Sequence, residues 1–466
     1  MSTEVKRGIR RTPDLDSLYS INDDGSRNML QPADVRGRWH TRKNIVFAVL
    51  IAIYVVVPWI RIGGFPAIRL DVPARTAYLV GHTYTREDFY LVFFLLTGFA
   101  FGLFAVTALW GRIWCGYACP QTVFLEGVYR RIEGWIEGSR NERLRRNQGP
   151  MSFDKLWRKV LKQLCFLVVT LLITHTLLAY FLPVDELLPA ILAGPSKHWL
   201  AFSWTLALTA IIYFDFAWFR EQFCVIMCPY GRLQSALIDD DTVLVGYDHT
   251  RGEPRGAKGK AEGDCIDCRS CVNVCPTGID IRNGLQMECI GCTNCVDACD
   301  SIMQQIGRPE GLVRYDSYRG FRGEKRRFVR PRLFLYAILA LVGLAVFSFT
   351  ASKRTSFEVT ILRARGMPYT IENERIQNLF TIHLQNKSPK TAEYTLAPAE
   401  PTSGQPAIEW KLSSTELEIE SLGEVKIPIF AFVPRAEFKQ PIPCRLLVTD
   451  KTTGESQTIE LHFQGP

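Results

Sequence analysis

Hydrophobic and polar positions divide this chain into long unbroken apolar runs, a polar cysteine-rich middle and a tail of short alternating runs. Five runs are apolar all round: roughly 44–60 (NIVFAVLIAIYVVVPWI), 89–110, 160–182, 199–219 and 333–351. A helix needs about 20 apolar residues, range 17–25, to cross the hydrocarbon of a bilayer. None of the five alternates with the period of two that a strand shows, and all lack the polar face that helices of soluble proteins keep. The pattern predicts five transmembrane helices, the first ending near Pro58. Beyond residue 351 the runs shorten and many alternate, as in IQNLFTIHLQNKS, TAEYTLAP and VKIPIFAFVP, with Pro, Gly, Asn and Ser between them. About seven strands in roughly 115 residues predict an immunoglobulin-like β-sandwich.

Charge orients this arrangement, because Lys and Arg collect in cytoplasmic loops. RGRWHTRK (36–43) precedes the first span, RR (130–131) and RLRR (143–146) follow the second, and RGFRGEKRRFVRPR (319–332) precedes the fifth. The loop 183–198 has one Lys against two acids, and 61–88 has four Arg against three acids. The N-terminus, 111–159 and 220–332 are then expected in the cytoplasm, and 352–466 outside, in a periplasm if the cell is a Gram-negative bacterium. Topology suffices to explain the arginine runs, so no nucleic-acid partner is expected. The first 43 residues are polar and carry no secretory signal pattern. A chain of 466 residues that is 47% hydrophobic, with mean hydropathy only +0.03, fits membrane segments joined to water-soluble parts.

The expected organisation is therefore a multidomain membrane protein. It has a cytoplasmic segment 1–43, a transmembrane bundle over 44–250 carrying four spans and the cytoplasmic loop 111–159, a domain with a basic linker over 251–332, a fifth helix over 333–351, and an exterior domain over 352–466.

Of fourteen cysteines, eight lie inside 35 residues. Residues 265–275 and 289–299 each read C-x2-C-x2-C-x3-C, the run of bacterial two-cluster ferredoxins, whose fourth Cys serves the other cluster. Cys265, Cys268, Cys271 and Cys299 are expected to hold one 4Fe–4S cluster, and Cys275, Cys289, Cys292 and Cys295 the second. A structural zinc site is the competing reading, but such sites usually pair two Cys-x-x-Cys units. The first motif ends in Pro276 and the second in Asp300, a departure that bears on solvent access or potential at one cluster. The Gly-rich basic stretch 251–263 is expected to be a flexible tether to this α+β domain.

Two further pairs, Cys115/Cys119 (WCGYACPQ) and Cys224/Cys228 (FCVIMCPYGR), each follow an apolar run and precede a proline. If the helices continue through them, the i, i+4 spacing puts both thiols of a pair on one face. Pro120 and Pro229 mark a break or the first turn of a following helix. Four thiols converging from two helices suit a soft ion, Cu(I) above all. They also suit dithiol–disulfide chemistry or a further Fe–S cluster. The bland alternative is that they only pack helix ends. His175 in mid-span, Asp215 near the end of span four and the thioether of Met227 are weaker site candidates. Cys444, alone in the exterior domain, is expected to be a small buried hydrophobe.

These features together resemble the CcoG (FixG/RdxA) family of cytochrome c oxidase accessory proteins. The resemblance rests on WCGYACPQ (114–121), CVIMCPYGRLQS (224–235), the twin ferredoxin run (265–299), FEVTILRARG (357–366) and the terminal GP (465–466). It implies an inner-membrane polyferredoxin with an immunoglobulin-like tail, tied to maturation of the cbb-type oxidase. It also implies reduction of Cu(II) to Cu(I), with copper transport proteins and oxidase assembly factors as partners and a cytoplasmic electron donor of unspecified identity. Two 4Fe–4S clusters are the expected cofactors, and copper is a further candidate. The alternatives are a quinol dehydrogenase of NapH or NosR type, or a scaffold whose clusters are redox-inactive.

Overall fold

The computed structural model describes residues 29–466 except 86–87, 258–261, 353–354, 364–367, 373, 389 and 400–405. Residues 1–28 of the expected N-terminal segment lie outside the described residues, as do parts of the basic stretch and of FEVTILRARG. The chain folds as two compact units. One takes the described residues up to Pro58 together with Phe93–Val346, and the other joins Trp59–Val92 to Phe347–Pro466.

Among the described residues five helices are long and apolar enough to cross a membrane: Arg38–Trp59, Phe89–Trp110, Phe153–Leu178, Trp199–Phe219 and Pro331–Ser352. Few of their side chains are buried within the protein; Ile45, Val49, Phe93, Leu96, Leu164 and Leu341 all point outward. Lipid is the solvent that makes such surfaces stable, and a helix satisfies its own backbone there. The second and fifth helices cross where two glycines meet: a Cβ on Gly343 would lie 2.9 Å from Gly98 N. Small residues at such a crossing let backbones approach closely.

Two helices begin earlier than their apolar runs. The first starts at Arg38 rather than near 44. Its free N-terminal amides are capped from far along the chain, with Trp39 N–H and His40 N–H donating to the Asp297 carboxylate at 3.2 and 2.7 Å. The third runs Phe153–Leu178 instead of 160–182, because Ser152 caps it by accepting from Lys155 N–H.

The cysteine-rich domain is a ferredoxin-like α+β fold. Leu244–Tyr247 pairs antiparallel with Val313–Asp316, and helices Ser270–Asn273 and Asn294–Gln305 follow the two cysteine loops. Its first strand thus precedes the boundary expected at 251. The basic stretch does not form a free tether where it is described. Asp264 N–H donates to Arg251 O at 2.9 Å, Gly256 N–H to Cys265 O at 3.2 Å, and the Arg251 guanidinium to Asp264 and Glu310 O. Glycine and charge read as flexibility in the sequence; here they make turns and ion pairs.

The other unit is an immunoglobulin-like sandwich of two antiparallel sheets. One sheet orders Glu409–Leu412, Glu424–Pro434, Arg375–Asn386 and Phe357–Arg363, with Thr370–Glu372 also on Arg375–Asn386. The second orders Glu416–Ile419, Ala392–Pro398, Ile442–Asp450 and Ser456–Phe463. Alternation buries every second residue, so Ile382, Leu384, Ile429, Tyr394, Leu396, Leu446 and Val448 share one core. Cys444 is buried among apolar neighbours, as expected. The segment between the first two spans belongs to this unit. It forms short strands, including Ile68–Asp71, Thr76–Leu79 and His82–Tyr84.

Candidate functional site

In the ferredoxin-like domain the two cysteine runs cross over. Cys299, from the second run, has Cys271, Cys268 and Cys265 as its electrostatic neighbours. Cys275, from the first run, bears on Cys289, Cys292 and Cys295. Cross-threading follows from the x3 spacing, since each fourth Cys is carried off on the helix that follows its loop. Burial raises the metal-free thiols: Cys271, Cys292 and Cys299 are pushed up to about 12 and Cys289 to about 11. Such thiols are protonated near neutrality, so metal binding must release protons. Cys268 is the exposed member.

These residues fit an iron–sulfur group. Cys275, Cys289, Cys292 and Cys295 line a small pocket with Cys271, whose other walls include Val245, Ile279, Ile281 and Ile290. Backbone N–H groups of Gly291 and Asn294 point at Cys289 and Cys292. Lys43 is only 1% exposed beside them. Its ammonium donates to Asn294 Oδ1 and lies 6.0 Å from the Phe47 ring centre. Both partners are neutral, and a buried cation needs negative charge nearby; four thiolates on iron would supply it.

The membrane-end pairs do not lie on continuous helices. Gly111, at φ +55°, ends the second span, and Cys115 sits in a separate short turn, Ile113–Tyr117. Cys119 is extended and immediately precedes a helix starting at Pro120. Arg220, at φ +52°, ends the fourth span in the same way. Cys224 lies in the turn Phe223–Met227, and Cys228 precedes the helix Pro229–Leu237. Pro is pre-organised for the first helical position, so both Cys-Pro steps are helix starts. The i, i+4 face expected for a continuous helix is replaced by two equivalent turn-and-restart motifs.

These motifs bring the four thiols together. Cys224 is raised first by burial and then by Cys119, Cys115 and Cys228. Cys115 is pushed up to about 12 by burial and by Cys119, and its Sγ donates to Gln234 Oε1 at 3.4 Å. Cys119 is raised by burial against the N–H groups of Thr122 and Gln121, which stabilise its thiolate. Among the described residues no three metal-binding side chains close around a single ion.

The four-thiol group abuts the second cysteine set. A Cβ on Gly116 would lie 2.7 Å from Gly291 O, so only glycine fits against that loop. Arg112 donates to Cys289 O at 3.2 Å, to Met287 O and to Gly231 O at 3.0 Å. Arg130 donates to Pro276 O at 2.9 Å and pairs with Glu126 and Glu221. Tyr117 OH meets Thr293 Oγ1 at 2.9 Å. Arg130 and Lys43 escaped the sequence reading because their charges were already explained as topology signals, and Arg112 because its partners are backbone carbonyls distant in sequence.

The weaker candidates separate. Asp215 accepts from Gln121 Nε2 at 3.2 Å, not from an arginine, and lies near Cys224. Met227 is 62% exposed, within the turn between Cys224 and Cys228. His175 stands apart, its Nδ1 2.7 Å from Leu171 O one turn back.

Comparison with known proteins adds three family matches: a 4Fe-4S binding domain over residues 91–141, a 4Fe-4S dicluster domain over 219–318, and the IG-like fold at the C-terminal of FixG over 347–466. Protein RdxA of Cereibacter sphaeroides is 36% identical, covering 82% of this chain and 85% of its own length. Protein RdxB of the same organism is 35% identical, covering 82% and 83%. Nitrogen fixation protein FixG of Rhizobium meliloti is 30% identical, covering 94% and 93%.

Proposed function

The chain belongs to the FixG/RdxA family of iron–sulfur electron-transfer membrane proteins, and from that premise we propose that it reduces Cu(II) to Cu(I) for assembly of a cbb-type cytochrome c oxidase. The observation that carries this reading is the packing of Gly116 on Gly291, which sets the four-thiol group directly against a cluster-binding loop. Cys265, Cys268, Cys271 and Cys299 would hold one 4Fe–4S cluster, and Cys275, Cys289, Cys292 and Cys295 the other. When bound, these groups supply one-electron carriage.

The chain's own residues do the rest. Arg112 and Arg130 tie the cysteine loops to the ends of the membrane helices through backbone carbonyls. Copper enters as substrate and leaves as product: Cu(II) takes one electron and becomes Cu(I). Cys115, Cys119, Cys224 and Cys228 offer soft sulfur donors that favour the product ion. Burial raises the ion-free Cys115 and Cys224 thiols, so copper binding there displaces their protons. The Lys and Arg distribution favours this chemistry on the cytoplasmic side and the sandwich in the periplasm. Copper carriers and oxidase assembly factors would then take the Cu(I).

The test is cupric reduction by the reconstituted full-length protein, reduced anaerobically, freed of reductant and mixed with Cu(II) and a Cu(I)-specific chromophore. The expected result is Cu(I) formation that falls at least tenfold when all four membrane-end cysteines become serine while iron content is retained. Undiminished reduction in that variant would remove those thiols from the reaction. Cluster reduction by a quinol would favour the NapH/NosR-type reading instead.

A further inference from the structure

The two cysteine sets have the same spacing but different surroundings. Around Cys275, Cys289, Cys292 and Cys295 the nearest cations come from the membrane helices. Lys43, buried at the start of the first span, faces Cys292, and Arg112, after the second span, faces Cys289. Two carboxylates also lie there: Glu126, held by Arg130, and Glu288, facing Arg112. The same set receives the Gly291 and Asn294 N–H groups.

Around Cys265, Cys268, Cys271 and Cys299 the carboxylates that face the thiols are Asp280, beside Cys271, and Asp300, beside Cys299, while Arg269 is 70% exposed, Arg255 faces Asp280 and the Tyr247 hydroxyl meets Cys265. Arg282 faces Cys271 but is already shared by Asp280, at 2.6 Å, and Asp267. Asp300, next in sequence to Cys299, adds a further carboxylate; Arg38 approaches it only at 3.9 Å and is 64% exposed. A cluster gains negative charge on reduction. Cations and N–H donors therefore raise its potential and carboxylates lower it, most strongly where water is excluded. Exposure of Cys268 acts in the opposite sense, but it also leaves one sulfur open to a donor.

We propose that this asymmetry makes a downhill electron path toward the membrane-end thiols: Lys43 and Arg112 raise the potential at the second set, while Asp280 and Asp300 lower it at the first. A one-electron carrier protein delivers at the exposed Cys268 edge. One electron leaves the first set as one arrives at the second, and no bond to the chain is made or broken. The inference rests on the electron-carrier reading above and deepens it by assigning direction.

An anaerobic redox titration of the full-length protein, followed by EPR without copper, tests it. The expected result is two waves. Lys43→Met lowers the upper one, so that its reduced-to-oxidised ratio at fixed potential falls about tenfold, or about 59 mV for one electron. Lys43→Arg leaves that wave in place, and Asp300→Asn raises the lower wave alone. If Lys43→Met fails to load iron, Arg112→Gln is judged on the same wave. A shift of the lower wave by Lys43→Met, an equal shift of both, or no shift overturns the proposal. Because copper is absent, failure of cupric reduction would leave this result standing, and the reverse also holds.

Discussion

A single buried carboxylate shows how the helix ends are locked together. Glu133 meets Arg220, Lys162 and Arg143, all little exposed. Burial alone would raise its pKa, but Arg220 and then Lys162 overcome that and hold it below the usual carboxylate range. A depressed folded value means stability that is present above the unfolded pKa of about 4.3 and lost as pH falls through the folded one. Thermal unfolding in detergent should therefore show an acid limb below about pH 4.3. Glu133→Gln should flatten it and cost about 3–5 kcal/mol at neutral pH, the usual result of orphaning a buried charge. Gly116→Ala is the matching test at the thiols. A methyl group 2.7 Å from Gly291 O forces the backbones apart. Cupric reduction should fall more than tenfold while iron and sulfide contents stay near wild type.

Among elements, the crossing of the second and fifth membrane helices is the most demanding contact. A Cβ on Gly98 would already lie 3.2 Å from Leu344 N, so Gly98→Leu should separate the helices. Lower thermal stability in detergent, with cluster absorption intact before unfolding, would show this. What could be read from the sequence, and what could not, divides at this scale. The five spans and the cysteine runs were legible because their signals are local: apolar length and fixed spacing. The start of the first helix was not, because Asp297, which caps it, is more than 250 residues away. The membrane-end thiols were legible as neighbours, but the turns that carry them were not. Gly111 and Arg220 turn the chain through positive φ at the span ends, which the apolar pattern does not reveal. The described ends of the supposed tether are held by ion pairs such as Arg251–Asp264, which depend on folding that composition cannot show.

At the scale of the whole molecule, the segment between the first two spans is built into the sandwich unit through one buried cation. Lys387 Nζ lies 3.3 Å from Asp88 and also pairs with Glu358. Lys387→Met should free the Trp59–Val92 segment, seen as faster proteolysis there at unchanged iron content. The exposed Cys268 carries a consequence for handling. Dioxygen and peroxide meet that sulfur before any of its seven companions, all of which are buried or half-buried. Aerobic preparations should bleach in two stages, surrendering about half their iron quickly and the remainder slowly.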